Sequence, residues 1–212
     1  MTDPAAAPAI IGIVLFDGFE TLDVFGPVQM LGRLRDHRLV AVSATGAPAT
    51  SSQGLATVVQ HDFAGAPPFD VLLVPGGQGT RAGVDDPVLL DFLRRQSATA
   101  RWVTSVCTGA ALLARAGVLD GRRATTNKVA FDWVARQSDK VAWQPRARWV
   151  VDDRYMTASG VSAGTDMALA LVAELYDRAT AEATARSAEY VWNENPDEDP
   201  FAIDWTPPET RA

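Results

Sequence analysis

The chain has 212 residues, with 19 Lys+Arg against 26 Asp+Glu, a formal net charge of −7, two histidines and one cysteine. One cysteine excludes a disulfide framework and a cysteine-built zinc or iron–sulfur site. An acidic balance with no basic run lacks the electrostatic footprint of a nucleic-acid binder.

No apolar run approaches the roughly 20 residues that span a bilayer. The opening MTDPAAAPA has no basic segment ahead of an apolar core, so it does not read as a signal peptide. The expectation is a soluble, cytoplasmic protein with neither a nucleic-acid nor a membrane partner. Hydrophobic residues make up 47% and charged residues 21%, ordinary values for a folded chain. At this length one domain buries roughly 70% of its unfolded surface. A single domain over 1–212 is expected, with loose tails at about 1–9 and 195–212.

In chain order, Ile10–Phe16 is the first short apolar run, bounded by Asp17-Gly18. Val24 to Arg35 carries Val28, Leu31 and Leu34 at helical spacing, with Pro27 suited to an opening turn. Leu39–Ala44 is the second strand, and Gln53–Gln60 reads as a ribbon strand. Val71–Val74 is the third apolar run, followed by a helix over Pro87–Gln96 with Val88, Leu89, Phe92 and Leu93 as its stripe. Trp102–Val106 is the fourth, and Thr108–Ala116 is a helix stopped by Gly117, a left-handed cap. Arg148–Val151 and Tyr155–Ala158 flank Asp152-Asp153-Arg154 as a hairpin, and helices follow at Asp166–Tyr176 and Ala181–Trp192. Uninterrupted short runs suit strands buried on both faces. The alternation predicts an α/β fold with a doubly wound, mostly parallel sheet, helices on both faces and a small antiparallel hairpin addition.

Ligands of such sheets bind beyond the C-terminal ends of the strands. There Cys107 stands between a buried strand and Thr108-Gly109-Ala110, the layout of a nucleophile elbow. A thiol at a helix N-terminus is expected to have a depressed pKa. His37 and His61 both fall away from the elbow and read as surface residues, so the partner sought is a carboxylate. Asp23, between Leu22 and Val24 after the first strand, reads either as a first-turn acid of the helix or as a partly buried, protonated acid. Asp17, Glu20 and Asp62 compete with it, Asp17 reading as a turn residue. Gly76 and Gly77 follow the third strand, where glycines let backbone N–H groups approach an anion. With Thr108, the Gly77 N–H forms a candidate oxyanion hole.

The blocks IGIVLFDGFETLDVFGP, DVLLVPGG, VTSVCTGAALLARAGVLDGRRATT and TASGVSAGTDMALALVAELYD together resemble the ThiJ/PfpI superfamily, from Ile10 to Trp192 and in the same order. The L-D-x-x-G-P block and S-V-C-T-G resemble its isonitrile hydratase branch. The resemblance implies a flavodoxin-like fold, a homodimer, a small-molecule substrate and no cofactor. It also implies Cys107 as nucleophile and Asp23 as acid, supported by Thr108 and the Gly77 backbone. Peptidase members carry histidine where Thr108 stands, which argues against proteolysis. Many relatives carry histidine where this chain has Asn127, a candidate substrate-binding position. The implied reaction is hydration of an isonitrile to an N-substituted formamide. The alternatives are a glyoxalase or deglycase acting on small reactive carbonyls, and an oxidation-sensing or binding member of the same superfamily. Similar domains precede helix-turn-helix regulators, but only about twenty residues follow the last helix expected here, ending acidic and proline-rich.

Overall fold

Apolar runs without polar alternation need cover on both faces, and the four central ones lie side by side in one sheet. The protein is described by a computed structural model over residues 9–206. Its elements are β1 (Ala9–Val14), α1 (Thr21–Leu31), β2 (His37–Ser43), β3 (Ala49–Thr50), β4 (Ala56–Thr57), β5 (His61–Asp62), β6 (Val71–Val74), α2 (Thr80–Gly83) and α3 (Pro87–Thr99). They continue with β7 (Trp102–Val106), α4 (Gly109–Arg115), β8 (Arg123–Ala124), α5 (Phe131–Ala135), β9 (Ala142–Trp143), β10 (Trp149–Asp152), β11 (Tyr155–Ala158), α6 (Ala163–Leu175) and α7 (Arg178–Ser187). Among the described residues the main sheet has seven strands, in the order β10-β11-β7-β6-β1-β2-β5. β10 runs antiparallel to β11, and all other neighbours are parallel. This is the expected doubly wound α/β architecture, with the hairpin joined to one sheet edge. Among the described residues no helix is long and apolar enough to cross a membrane.

The two-residue period of a strand sorts its side chains to opposite faces. In β6, Leu72 and Val74 enter the core beneath α3 and α4, and Val71 and Leu73 enter the one beneath α1, α6 and α7. Burying a Leu or Val side chain fully stabilises by about 1.5–3 kcal/mol, so both helical layers are held by one short strand. β2 lies on one side of β1 and β6 on the other. The strand order therefore reverses at the β1–β6 boundary, where sheets of this kind open a crevice.

Several boundaries differ from expectation. α1 begins at Thr21, so Pro27 lies inside the helix and offers no N–H to the Asp23 carbonyl. Burial of Val24, Met30 and Leu31 offsets that loss. Val88 is exposed, and the buried stripe of α3 is Leu89, Leu90, Phe92 and Leu93. Of Gln53–Gln60 only Ala56–Thr57 is strand, paired antiparallel with Ala49–Thr50. The last helix is Arg178–Ser187, because Asp177 caps it by accepting the Thr180 N–H at 2.7 Å and Glu189 leaves it at φ 51°.

The expectation of a loose tail from 195 is corrected over 195–206. The Pro196 carbonyl accepts the Arg148 N–H at 2.7 Å, and Asp199 is buried. Trp205 packs on Phe131 at 5.2 Å between ring centroids and donates Nε1–H to Asp132. The parts of the expected tails at 1–8 and 207–212 lie outside the described residues.

Candidate active site

β7 ends at Val106, α4 begins at Gly109, and Cys107 between them takes φ 56°. A left-handed conformation at a residue with a Cβ costs on the order of 1–3 kcal/mol, so it persists only where the surroundings enforce it. Here the Cys107 N–H donates to the Ala158 carbonyl at 3.1 Å, and its carbonyl accepts the Thr126 hydroxyl at 2.8 Å. Two glycines complete the clamp. A Cβ on Gly160 would lie 2.5 Å from the Cys107 Cβ, and one on Gly76 would lie 2.4 Å from the Thr108 nitrogen.

Asp23 is the third residue of α1 and fully buried. Its Oδ2 accepts the Gly76 N–H at 2.8 Å, while Oδ1 is buried and has no hydrogen-bond partner among the described residues. Burial pushes its pKa up to about 8, and the Glu20 charge adds to the rise. The Gly76 N–H and a side-chain interaction with the Cys107 thiol pull the other way and are outweighed. Near neutrality Asp23 therefore retains its proton.

The depressed thiol pKa expected of the elbow is corrected. Cys107 is only 7% exposed, and its pKa is pushed up, first by burial and then by the Asp23 charge. The Thr108 backbone N–H and hydroxyl lower it and are outweighed. A short helix start cannot compensate a thiolate removed from water and set beside an acid. The Asp23 charge disfavours ionisation of the thiol, whereas the neutral thiol slightly favours the Asp23 carboxylate and is outweighed there by burial.

The glycine turn after β6 also differs from the expected oxyanion hole. The Gly77 N–H donates to Thr108 Oγ1 at 3.0 Å and the Gly76 N–H to Asp23. Thr80 Oγ1 donates to the Gly77 carbonyl at 2.7 Å and lies 3.1 Å from Thr108 Oγ1. The turn thus orients the acid and the threonine, and its N–H groups are engaged.

The competing residues lie elsewhere. Asp17 Oδ1 accepts the Thr50 N–H at 2.8 Å, as a turn residue does, and Asp62 Oδ1 accepts that of Gly65 at 2.6 Å. Glu20 Oε1 accepts Gln53 Nε2 at 2.7 Å and reaches the pair only through its charge. His37 opens β2 at the opposite end of the sheet, hydrogen-bonded to Tyr176, and His61 opens the edge strand β5. Asn127 Oδ1 accepts the Ala130 N–H at 3.0 Å, shaping the turn into α5. Among the described residues no cluster of three or more His, Cys, Asp and Glu side chains is placed to hold a metal ion.

Arg81, in α2, was not among the candidates. Its guanidinium lies 3.4 Å from the centroid of the Trp133 ring. Burial lowers its pKa, and an ionised Cys107 opposes that shift, which places the cation within electrostatic reach of the thiol. Nothing local in TRAG marks it, since its stacking partner lies in a different element.

Comparison with known proteins follows the same lines. Residues 10–174 match the model of the DJ-1/PfpI family. The chain is 39% identical over 180 residues to an isonitrile hydratase of Pseudomonas putida, covering 85% of this chain and 78% of that protein. It is 29% identical to the HTH-type transcriptional regulator GbdR of Pseudomonas aeruginosa over 81% of this chain and 48% of the regulator. A ThiJ/PfpI family protein from Pseudomonas syringae has a solved structure that superposes with a TM-score of 0.81 at 34% identity, covering 94% of this chain and 83% of that one.

Proposed function

Because the chain belongs to the DJ-1/PfpI family, we propose that it is an enzyme hydrating an isonitrile to the N-substituted formamide, with Cys107 as nucleophile and Asp23 as acid. What carries the reading is a fully buried carboxyl held at 2.8 Å by the N–H of Gly76, a residue so close to the chain's one thiol that a Cβ added to it would lie 2.9 Å from the Cys107 Cβ. The identity to an isonitrile hydratase over most of both chains supports it.

The terminal carbon of R–N≡C accepts both a nucleophile and a proton. A neutral acid beside a neutral thiol suits that demand better than a free thiolate does. The Cys107 sulfur forms a bond to the carbon while Asp23 delivers a proton to that same carbon. The thiol proton then reprotonates Asp23, so the sum of the step is addition of S–H across one carbon. The product is a thioimidate, R–N=CH–S–Cys107. Water adds to its carbon with Asp23 acting as base and then acid. The C–S bond breaks, R–NH–CHO leaves, and the thiol recovers its proton. Gly76 holds the carboxyl in register and Thr108 donates to sulfur, which stabilises charge developing there. Asn127 borders the site through its neighbour Thr126 and contributes to substrate binding.

The protein acts in the cytoplasm as a homodimer. Leu22 and Phe25, 44% and 37% exposed on the helix that carries Asp23, support an interface there. Sedimentation tests the dimer. Hydration of phenyl isonitrile, followed by formamide production, tests the activity. Turnover that survives in Cys107→Ala would overturn the assignment of the nucleophile.

A further inference from the structure

Arg81 follows Thr80, whose hydroxyl lies 3.1 Å from that of Thr108, so the start of α2 is one residue removed from the elbow. Its guanidinium is laid over Trp133, and among the described residues it has no carboxylate or carbonyl partner. Several other arginines are neutralised or bonded: Arg148 by Asp166, Arg115 by Asp85, Arg178 by Glu182 and Glu194, and Arg154 by two carbonyls. Among the described arginines stacked on a ring, Arg95, Arg122, Arg154 and Arg178 lie 5.0–6.0 Å from the centroid and have such partners, whereas Arg81 lies at 3.4 Å and has none.

Its support is built. Trp133 belongs to α5, whose neighbouring residue Phe131 is fixed by Trp143 and Trp205 at 6.2 and 5.2 Å, and whose Asp132 takes the Trp205 Nε1–H. Stacking occupies the face of a guanidinium and leaves its edge, a planar fork of N–H donors, free to meet a carboxylate in bidentate fashion. The contact of Thr80 with Thr108 at 3.1 Å sets the residue preceding Arg81 against the residue following Cys107, so the stack borders the turn that carries the thiol.

We propose that the Arg81–Trp133 stack is an anion-recognising wall of the Cys107 site, and that the preferred substrate carries a carboxylate near its reacting carbon. The inference rests on the reading of Cys107 as the reacting centre; isonitrile chemistry is the further step. A lysine would supply the charge without the fork, and a planar carboxylate is the anion that matches the fork.

Alkylation of the single thiol tests it without any isonitrile. Iodoacetate and iodoacetamide differ in one charge and both transfer a carbon to sulfur with loss of iodide. The ratio of their rates, read by mass, therefore reports anion recruitment at Cys107. In the native chain the ratio is expected to exceed that of the same chain unfolded in urea, against the adverse net charge. Arg81→Gln is expected to lower the ratio about tenfold, the factor that corresponds to about 1.4 kcal/mol, and Arg81→Lys to restore part of it. A native ratio no higher than the unfolded one, or a ratio unmoved in Arg81→Gln, overturns the proposal. The first comparison stands even where the variant does not fold. In a second arm, 4-isocyanobenzoate is expected to have a lower KM than phenyl isonitrile, with the preference reduced in Arg81→Gln. Absence of turnover on both isonitriles, with the alkylation ratio behaving as expected, removes the hydratase reading and leaves the anion wall standing.

Discussion

Asp23 Oδ2 accepts the Gly76 N–H at 2.8 Å, joining the first turn of α1 to the turn after β6 across 53 residues of chain. The bond aims the carboxyl without ionising it, since one backbone donor recovers less than burial costs. Asp23→Asn keeps an acceptor for Gly76 and removes the proton. It is expected to fold normally and to lose about 10²- to 10⁴-fold in kcat on an isonitrile. Asp23→Ala also strands the Gly76 N–H, for a further stability loss of about 1–3 kcal/mol. Turnover with thermal unfolding of both variants separates the two effects.

Stability should depend on pH through the same carboxyl. Its folded pKa, about 8, lies above the ordinary 3.8, so the folded chain holds this proton more tightly than the unfolded one. The stabilisation is complete below about pH 3.8 and is lost as pH rises through about 8. Buried Lys128, lowered to about 8 from 10.5, works in the opposite sense, but only above about pH 8. Between pH 5 and 8 the wild-type Tm is therefore expected to fall more steeply than that of Asp23→Asn. Parallel slopes would mean that Asp23 is already ionised in the folded chain.

Gly160→Ala attacks the elbow from behind. The new Cβ would sit 2.5 Å from that of Cys107 and 2.8 Å from its Cα, at a residue with φ 78°. The left-handed backbone adds about 1–2 kcal/mol and overpacking about 1–3 kcal/mol. Expected outcomes are a lower denaturant midpoint and a changed alkylation rate at Cys107. An unaltered rate would show that this wall does not set the thiol's position.

Arg148 and Asp166 form a buried pair, with Arg148 Nη2 2.6 Å and Nε 2.9 Å from Asp166 Oδ2. Asp166 Oδ1 also takes the Tyr190 hydroxyl and the Asn193 N–H, so the pair ties α6 to the chain beyond α7. Arg148→Ala leaves a buried carboxylate without its cation and is expected to cost about 3–5 kcal/mol. Urea unfolding measures it, and Arg148→Ala with Asp166→Asn should recover part of the loss.

What could be read along the chain was local. Val71–Val74 and Trp102–Val106 are strands at the expected bounds, since an unbroken β-branched run between turn residues leaves few alternatives. The elbow at Cys107, the cap at Gly117 with φ 75° and the hairpin about Asp153 with φ 57° also follow from neighbours in sequence. Pro27 was misplaced because its own preference for an opening turn yields to the packing of the whole of α1. Tertiary structure alone decided the rest. The upward pKa shifts of Asp23 and Cys107 come from burial, a property of what surrounds a residue in space. The engagement of the Gly76 and Gly77 N–H groups, the stacking of Arg81 on Trp133 and the docking of 195–206 join segments far apart in sequence. The sequence by itself determined where a thiol would stand at an elbow. Only the packed chain decided that this thiol is a protonated one beside a protonated acid, because desolvation is a three-dimensional quantity and spacing is not.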